Sequence, residues 1–231
     1  MTSTNFNQFL IRVTKHFTPV INQEFLQSDY FPIDLSPANN TLSKLDLTSS
    51  KEMERYINNY LRENNKKVAY GGYLEKRTIY QRSSHFNHQN PETERNIHLG
   101  IDLWVEAGTE VLAVVDGEIH SFHDNTNFGD YGPTIILKHQ VDGITFHTLY
   151  GHLSRESLQD IQVGQQVKKR EVIAHLGDAN VNGDYAPHLH FQVIIDIGNL
   201  KGDYPGVSSK QDIAFYSKNC PDPNLLLKIH P

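Results

Sequence analysis

Three short segments concentrate side chains able to do chemistry: His98-Leu99-Gly100-Ile101-Asp102, Tyr150-Gly151-His152-Leu153 and Pro187-His188-Leu189-His190-Phe191. Side chains alternate along a strand, so His188 and His190 share one face and Leu189 and Phe191 the other. The histidines suit a groove and the apolar pair suits a core. Extended backbone would also put His98 and Asp102 on one face, with Gly100 between them contributing no side chain. Two histidines and one carboxylate are a normal ligand set for a catalytic zinc, which keeps a fourth position open for water. Imidazole nitrogen suits this borderline-soft ion, and the carboxylate reduces the net charge. The ion lowers the pKa of its water to about 7 and so generates hydroxide at neutral pH.

Each motif alone is less specific than the set. A histidine four residues before an aspartate is a weak signal, and a His-x-His pair a moderate one. The chain has 13 histidines, most of them between His85 and His190. A single strand histidine is ordinarily a hydrogen-bonded structural residue, and that reading applies to His85, His88, His120, His123, His139, His147 and His175. His147 is the nearest rival to His152, but a spacing of five puts the two on opposite faces of a regular strand.

The elements that must position these residues follow from periodicity. Phe6, Phe9, Leu10, Val13, Phe17, Val20 and Ile21 make one apolar helical face, kinked or ended near Pro19. A loop with Pro32, Pro37, Asn39 and Asn40 follows. Ser49 and Glu52 have capping-box spacing, and Met53, Tyr56, Ile57, Tyr60 and Leu61 continue as a second amphipathic helix. From Val68 onward the pattern turns to short strands, at 110–115, 118–122, 134–138, 144–150, 171–176 and 188–195. Asp142-Gly143 between two β-rich runs predicts a hairpin. The expected organisation is a small helical lobe over 1–67 and a β-rich domain over 68–231, with its core at 95–197 and a wrapping tail at 198–231. The fold class is mainly β: an antiparallel β-sandwich or barrel-sandwich hybrid core with a small N-terminal helical lobe.

Composition narrows the partners. The chain has 231 residues, 38% of them hydrophobic, enough for a real core. A net charge of -6 without a Lys/Arg run gives no footprint for nucleic acid or for an anionic membrane surface. No stretch approaches 18 apolar residues, so no membrane span is expected. The N-terminal stretch has neither an uninterrupted apolar run nor a small-residue cleavage site and does not read as a signal peptide. A single cysteine, Cys220, excludes an intramolecular disulfide and reads as structural rather than as a soft metal ligand.

The three motifs in this order resemble those of the lysostaphin-type (LytM-like) zinc metallopeptidases, a family with the duplicated hybrid motif fold. The run Ala107-Gly108-Thr109-Glu110-Val111 with Ala113–Gly117, then Tyr131-Gly132, Ile135–His139, Gly164, Ile173-Ala174 and Gly177, is similar to that family's scaffold. The similarity spans roughly 95–197. It implies one Zn²⁺ held by His98, Asp102 and His190, with His152 and His188 flanking the attacking water as catalytic histidines. It implies a metalloendopeptidase acting on peptidoglycan cross-links or Gly-rich peptides. The segment Ala69–Arg77 could line the groove, making Tyr73 and Arg77 candidate substrate contacts together with Tyr150, against the plainer reading of a connecting turn and edge strand. An intracellular zinc hydrolase of a small amide or peptide is the alternative. A catalytically silent activator is disfavoured because all five motif positions are filled, and a histidine phosphocarrier because of the His98–Asp102 pair. A looser likeness, including Cys220-Pro221-Asp222-Pro223-Asn224, points to a branch fused to kinase-like and aminotransferase-like domains.

Overall fold

The computed structural model describes residues 3–84, 86 and 90–230; His85 and His88 lie outside them. Among the described residues are twelve strands: β1 Tyr30–Pro32, β2 Val68–Gly71, β3 Arg95–His98, β4 Ile101–Trp104, β5 Glu110–Leu112, β6 Gly117–Asn125, β7 Gly132–Val141, β8 Ile144–Gly151, β9 Gln166–Val167, β10 Val172–His175, β11 His188–Ile194 and β12 Val207–Ser209. Four helices accompany them: α1 Ser3–Val13, α2 Ser50–Glu63, α3 Ile213–Asn219 and α4 Asn224–Leu227. Eight strands form one sheet in the order β1-β2-β4-β11-β8-β7-β6-β9. Its pairs are antiparallel except β1–β2, which is parallel. Two ribbons, β5–β10 and β3–β12, complete the architecture. The molecule is thus mainly β, as expected, with one dominant sheet rather than two equal layers.

Period-two alternation sorts the central strands. Ile101 and Leu103 of β4, Phe146 and Tyr150 of β8, and Leu189, Phe191 and Val193 of β11 enter the main core. Val111 of β5 and Ala174 of β10 cover them from above. Asp102, His188 and His190 occupy intervening positions and so face the other way. The expected strands are all present within a few residues. The β7–β8 hairpin turns at Asp142 (φ 51°) and Gly143 (φ 75°), the double positive φ of a type I′ turn.

The second helix is as the periodicity predicts, over Ser50–Glu63, whereas the first departs from it. α1 ends at Val13, short of Pro19; Val20 lies in a bend, and Ile21 is bridged to Val111. Tertiary pairing wins over local pattern here: Thr14 and Thr18 bond the backbone of α4, at Leu226 and Leu227. Phe6 and Phe9 pack edge-on against Phe146, at 6.2 and 5.9 Å between centroids, inside the main core. Such aromatic pairs add about 0.5–1.5 kcal/mol beyond burial. The loop expected around Pro32 contains β1 at the sheet edge, where a proline is tolerated. Ser49 caps α2 by accepting from Glu52 N, but the Glu52 carboxylate accepts from Asp46 N rather than closing a capping box. Met53, Ile57 and Leu61 of α2 form a second cluster with Ala69, Trp104 and Ala186. No helix among the described residues is long and apolar enough to cross a membrane.

Candidate metal centre

His98, Asp102 and His190 converge although no single strand carries them. β3 ends at His98 and pairs with β12, whereas Asp102 lies in β4 of the main sheet, opposite His190 of β11. The chain breaks between them at Leu99-Gly100, so the continuous extended segment expected from sequence is two strands. Gly100 is required there. A Cβ at this position would lie 2.7 Å from His190 Cε1 and from Phe191 O.

His98 Nε2 and His190 Nδ1 are 2.8 Å apart, and Asp102 Oδ1 lies 3.3 and 3.2 Å from them. The remaining ring nitrogens are already committed. His98 Nδ1 lies 2.9 Å from Gly72 O, and His190 Nε2 lies 2.9 Å from Gln192 Oε1. Both partners are acceptors, so the imidazoles donate to them and turn two lone pairs toward each other. Asp102 Oδ1 is buried without a hydrogen-bond partner. Three acceptors facing one point repel unless a cation sits among them. Tetrahedral zinc with bonds of about 2.0–2.1 Å separates its ligand atoms by about 3.3 Å, so the residues fit that ion. Among the described residues this is the His/Cys/Asp/Glu group able to hold a metal.

The other carboxylate oxygen, Asp102 Oδ2, accepts from Arg77 Nη1 at 2.5 Å, and Arg77 Nε donates to Glu75 Oε2 at 2.6 Å. Arg77 is therefore held by two carboxylates while it still lines the cavity, as the sequence expected. Gly72 makes room for it: a Cβ there would overlap the guanidinium. Burial opposes ionisation of Asp102, yet His98 and Arg77 beside it hold its carboxyl well below the usual range. Arg77 is the neighbour that stays charged at neutral pH.

His152 and His188 stand beside the cluster. Their rings are 4.2 Å apart between centroids, and His188 Nε2 lies 3.8 Å from Asp102 Oδ1. Each spends Nδ1 on a backbone carbonyl, Asn182 O at 2.8 Å for His152 and Ala186 O at 2.7 Å for His188. Each therefore keeps Nε2 as a free base. His152 adopts φ 65°, a left-handed conformation unusual outside glycine. Its backbone is pinned by bonds to Tyr131 O and from Gly177 N. Burial pushes His98 down to about 3, and also lowers His188 and His152. Neutral imidazoles are the form that binds metal or accepts a proton.

The cavity over these residues has a volume of about 160 Å³. His98, Asp102, His152, His188 and His190 line it, and each is between 1% and 5% exposed. Two sequence candidates lie elsewhere. Tyr150 points into the main core on the opposite side of the sheet and bonds Thr148 and Val114 N. Tyr73 donates to Cys220 O and so ties down the C-terminal tail. Neither contacts the cavity, which corrects the expectation that they bind substrate. Cys220 is buried, its thiol raised to about 12 by burial, and it accepts from Gln192 Nε2. Gln192, missed in the sequence, could have been found: it lies two residues after His190 and so on the same strand face. Tyr80 and Tyr131, which also line the cavity, carried no such signal.

The family comparison agrees with this geometry. Residues 96–201 match the model for peptidase family M23. A Haemophilus influenzae protein described as an uncharacterized metalloprotease is 34% identical over 127 residues, covering 53% of this chain and 25% of its own. The glycyl-glycine endopeptidase ALE-1 of Staphylococcus capitis is 34% identical over 95 residues, covering 41% of this chain and 24% of its own. The chain thus spans about a quarter of the length of these curated relatives. Among solved structures, the catalytic domain of lysostaphin from Staphylococcus simulans aligns with 67% of this chain and 94% of its own, at 24% identity and a TM-score of 0.40.

Proposed function

We propose that this protein is a zinc-dependent peptidase in which His98, Asp102 and His190 hold the ion and His152 and His188 handle protons. The observation that carries this is the convergence of two imidazole lone pairs and the unpartnered Asp102 Oδ1 on one point. Zinc held there supplies Lewis acidity for the scissile carbonyl and makes water acidic enough to serve as hydroxide near neutral pH. His152 and His188 present Nε2 to the same space. One accepts the proton of the attacking water, and the other, once protonated, stabilises the oxyanion or delivers the proton to the leaving amine. Their Nδ1–H bonds to Asn182 O and Ala186 O fix the tautomer each needs. Gln192 and the Gly72 carbonyl do the same for the ligands, which orients them and raises their basicity.

The family match supports peptide-bond hydrolysis, and the glycyl-glycine endopeptidase among the relatives supports Gly-rich or cross-link peptides as substrates. A short peptide or small amide is the second reading, favoured by the burial of all five site residues. The test is elemental analysis of the purified protein together with amine release from a Gly-rich peptide and from peptidoglycan. Stoichiometric zinc with release from either supports the reading. Absence of zinc after its addition would overturn it.

A further inference from the structure

The cavity over the metal centre is closed on one side by the chain's own N-terminal half. Leu35, Met53, Ile79, Trp104 and Ala186 pack together there as one apolar cluster, and all five line the cavity. Two clasps join this side to the loop before β11. Ser50 Oγ, in the first turn of α2, donates to Asp184 Oδ1 at 2.7 Å. Arg82, at the end of a 3₁₀ turn over Ile79–Arg82, reaches the same loop behind the lining residues Tyr185 and Ala186. Its Nη2 donates to Gly183 O at 3.2 Å and to Asp184 O at 2.5 Å, and Nη1 to Thr48 O at 3.4 Å. Its guanidinium stands 4.3 Å from the Tyr185 ring and 5.0 Å from that of Phe128. Ser83 Oγ donates to Phe128 O at 2.7 Å beside it. The rest of the lining includes part-exposed Arg95 and Asp130 and exposed Asp203, beside Tyr204, Pro205 and Val207.

A groove that binds the middle of a polymer must be open at both ends. Here buried apolar side chains wall one part of the cavity, and its exposed and half-exposed charged groups lie among the remaining lining residues. Its volume of about 160 Å³ is below the roughly 300–1,000 Å³ of pockets for drug-sized ligands and close to the ~150 Å³ cavity that takes a benzene. A charged chain terminus would be costly to desolvate against the apolar wall. Resting on the peptidase reading above, we propose that the substrates are short peptides or amides carrying a small, uncharged group on one side of the scissile bond. The longer or charged part remains beside Arg95, Asp130 and Asp203. Arg82 and Ser50 are the specificity-determining residues that hold the apolar wall in place.

The experiment uses the full chain loaded with zinc and two series of glycine peptides blocked at both ends. One series grows only on the acyl side of the scissile bond, the other only on the amine side. Hydrolysis falls by about 100-fold or more in one series as its length passes two residues, and little in the other. The double variant Arg82→Ser, Ser50→Ala recovers the long members of the sensitive series. Binding of phosphinic analogues of the same lengths, measured by calorimetry, gives the length rule independently of turnover. Equal binding of short and long analogues in both series would overturn the inference, as would loss in both series together, which marks a site shut at both ends. A protein that binds short analogues and obeys the length rule yet hydrolyses nothing sustains the inference and overturns the peptidase reading.

Discussion

Replacing Arg77 with methionine tests whether the metal centre is held by a buried ion pair. Arg77 and Asp102 are 4% and 2% exposed and share a 2.5 Å contact, so solvent screening does not dilute the interaction. Methionine keeps much of the packing volume beside Trp104 but leaves Asp102 Oδ2 and Glu75 Oε2 without their donor. Breaking one side of a buried pair costs about 3–5 kcal/mol. For a chain of this size each kcal/mol moves Tm by about 2–4 °C, so the zinc-free variant should melt roughly 6–20 °C lower. Zinc affinity should fall about 10–100-fold, the usual effect of losing a partner behind a metal ligand. Lysine at the same position keeps the charge but not the two-carboxylate fork, and should fall between the two. The sign with pH follows from the depressed Asp102 carboxyl. Its contribution is complete above the ordinary carboxylate pKa of about 3.9 and is lost as pH falls through the lower folded value. The stability gap between wild type and variant should therefore close only below about pH 4. Urea unfolding with and without chelator, and zinc competition against a chromophoric chelator, provide the measurements. A variant within about 0.5 kcal/mol of wild type, with unchanged zinc affinity, would refute the reasoning.

Other substitutions separate ligand from proton carrier. His98→Ala should abolish bound zinc by elemental analysis, whereas His152→Ala should retain it and lose about 10²–10⁴-fold in turnover; zinc kept in the first or lost in the second reverses the assignment. Gly100→Ala forces a Cβ to within 2.7 Å of His190 and should cost about 1–3 kcal/mol in addition to zinc. A variant that binds zinc as wild type does would show that the approach is not required. Acid unfolding of the zinc-free protein should be steep. Burial lowers His98 to about 3 and His139 and His147 to about 4, so the unfolded chain binds the extra protons below its own pKa of about 6.5. Stability should fall by about 1.4 kcal/mol per pH unit for each such histidine from about pH 6.5 toward 4. A flat urea midpoint over that range would contradict neutral buried imidazoles.

The strand content around the candidate site was legible because it is local. Alternation in Leu189–Phe191 sorts core from site, and Asp142-Gly143 supplies the two left-handed residues of its hairpin. The four motif histidines and the aspartate were likewise found by residue type and spacing, and the fold brings all five residues to one cavity. The end of α1 at Val13 was not legible. What stops the helix is a set of bonds to α4, more than 200 residues further along the chain, and the pairing of Ile21 with Val111. Tyr150 was misread because a motif neighbour is not a spatial neighbour: its strand turns it to the opposite side of the sheet.

By itself, then, the sequence determined the donor atoms, the strands that carry most of them and the turn chemistry between strands, because these depend on residue type and on periods of a few residues. Tertiary structure alone decided which ring nitrogen of His98 and of His152 is free, since that depends on carbonyls brought in from Gly72 and Asn182. It decided that Arg77 grips Asp102 and that Arg82 and Ser50 clasp the loop before β11. Those contacts join residues 25 to 134 positions apart. Only the packing of the whole chain fixes such distances, and no local period encodes them.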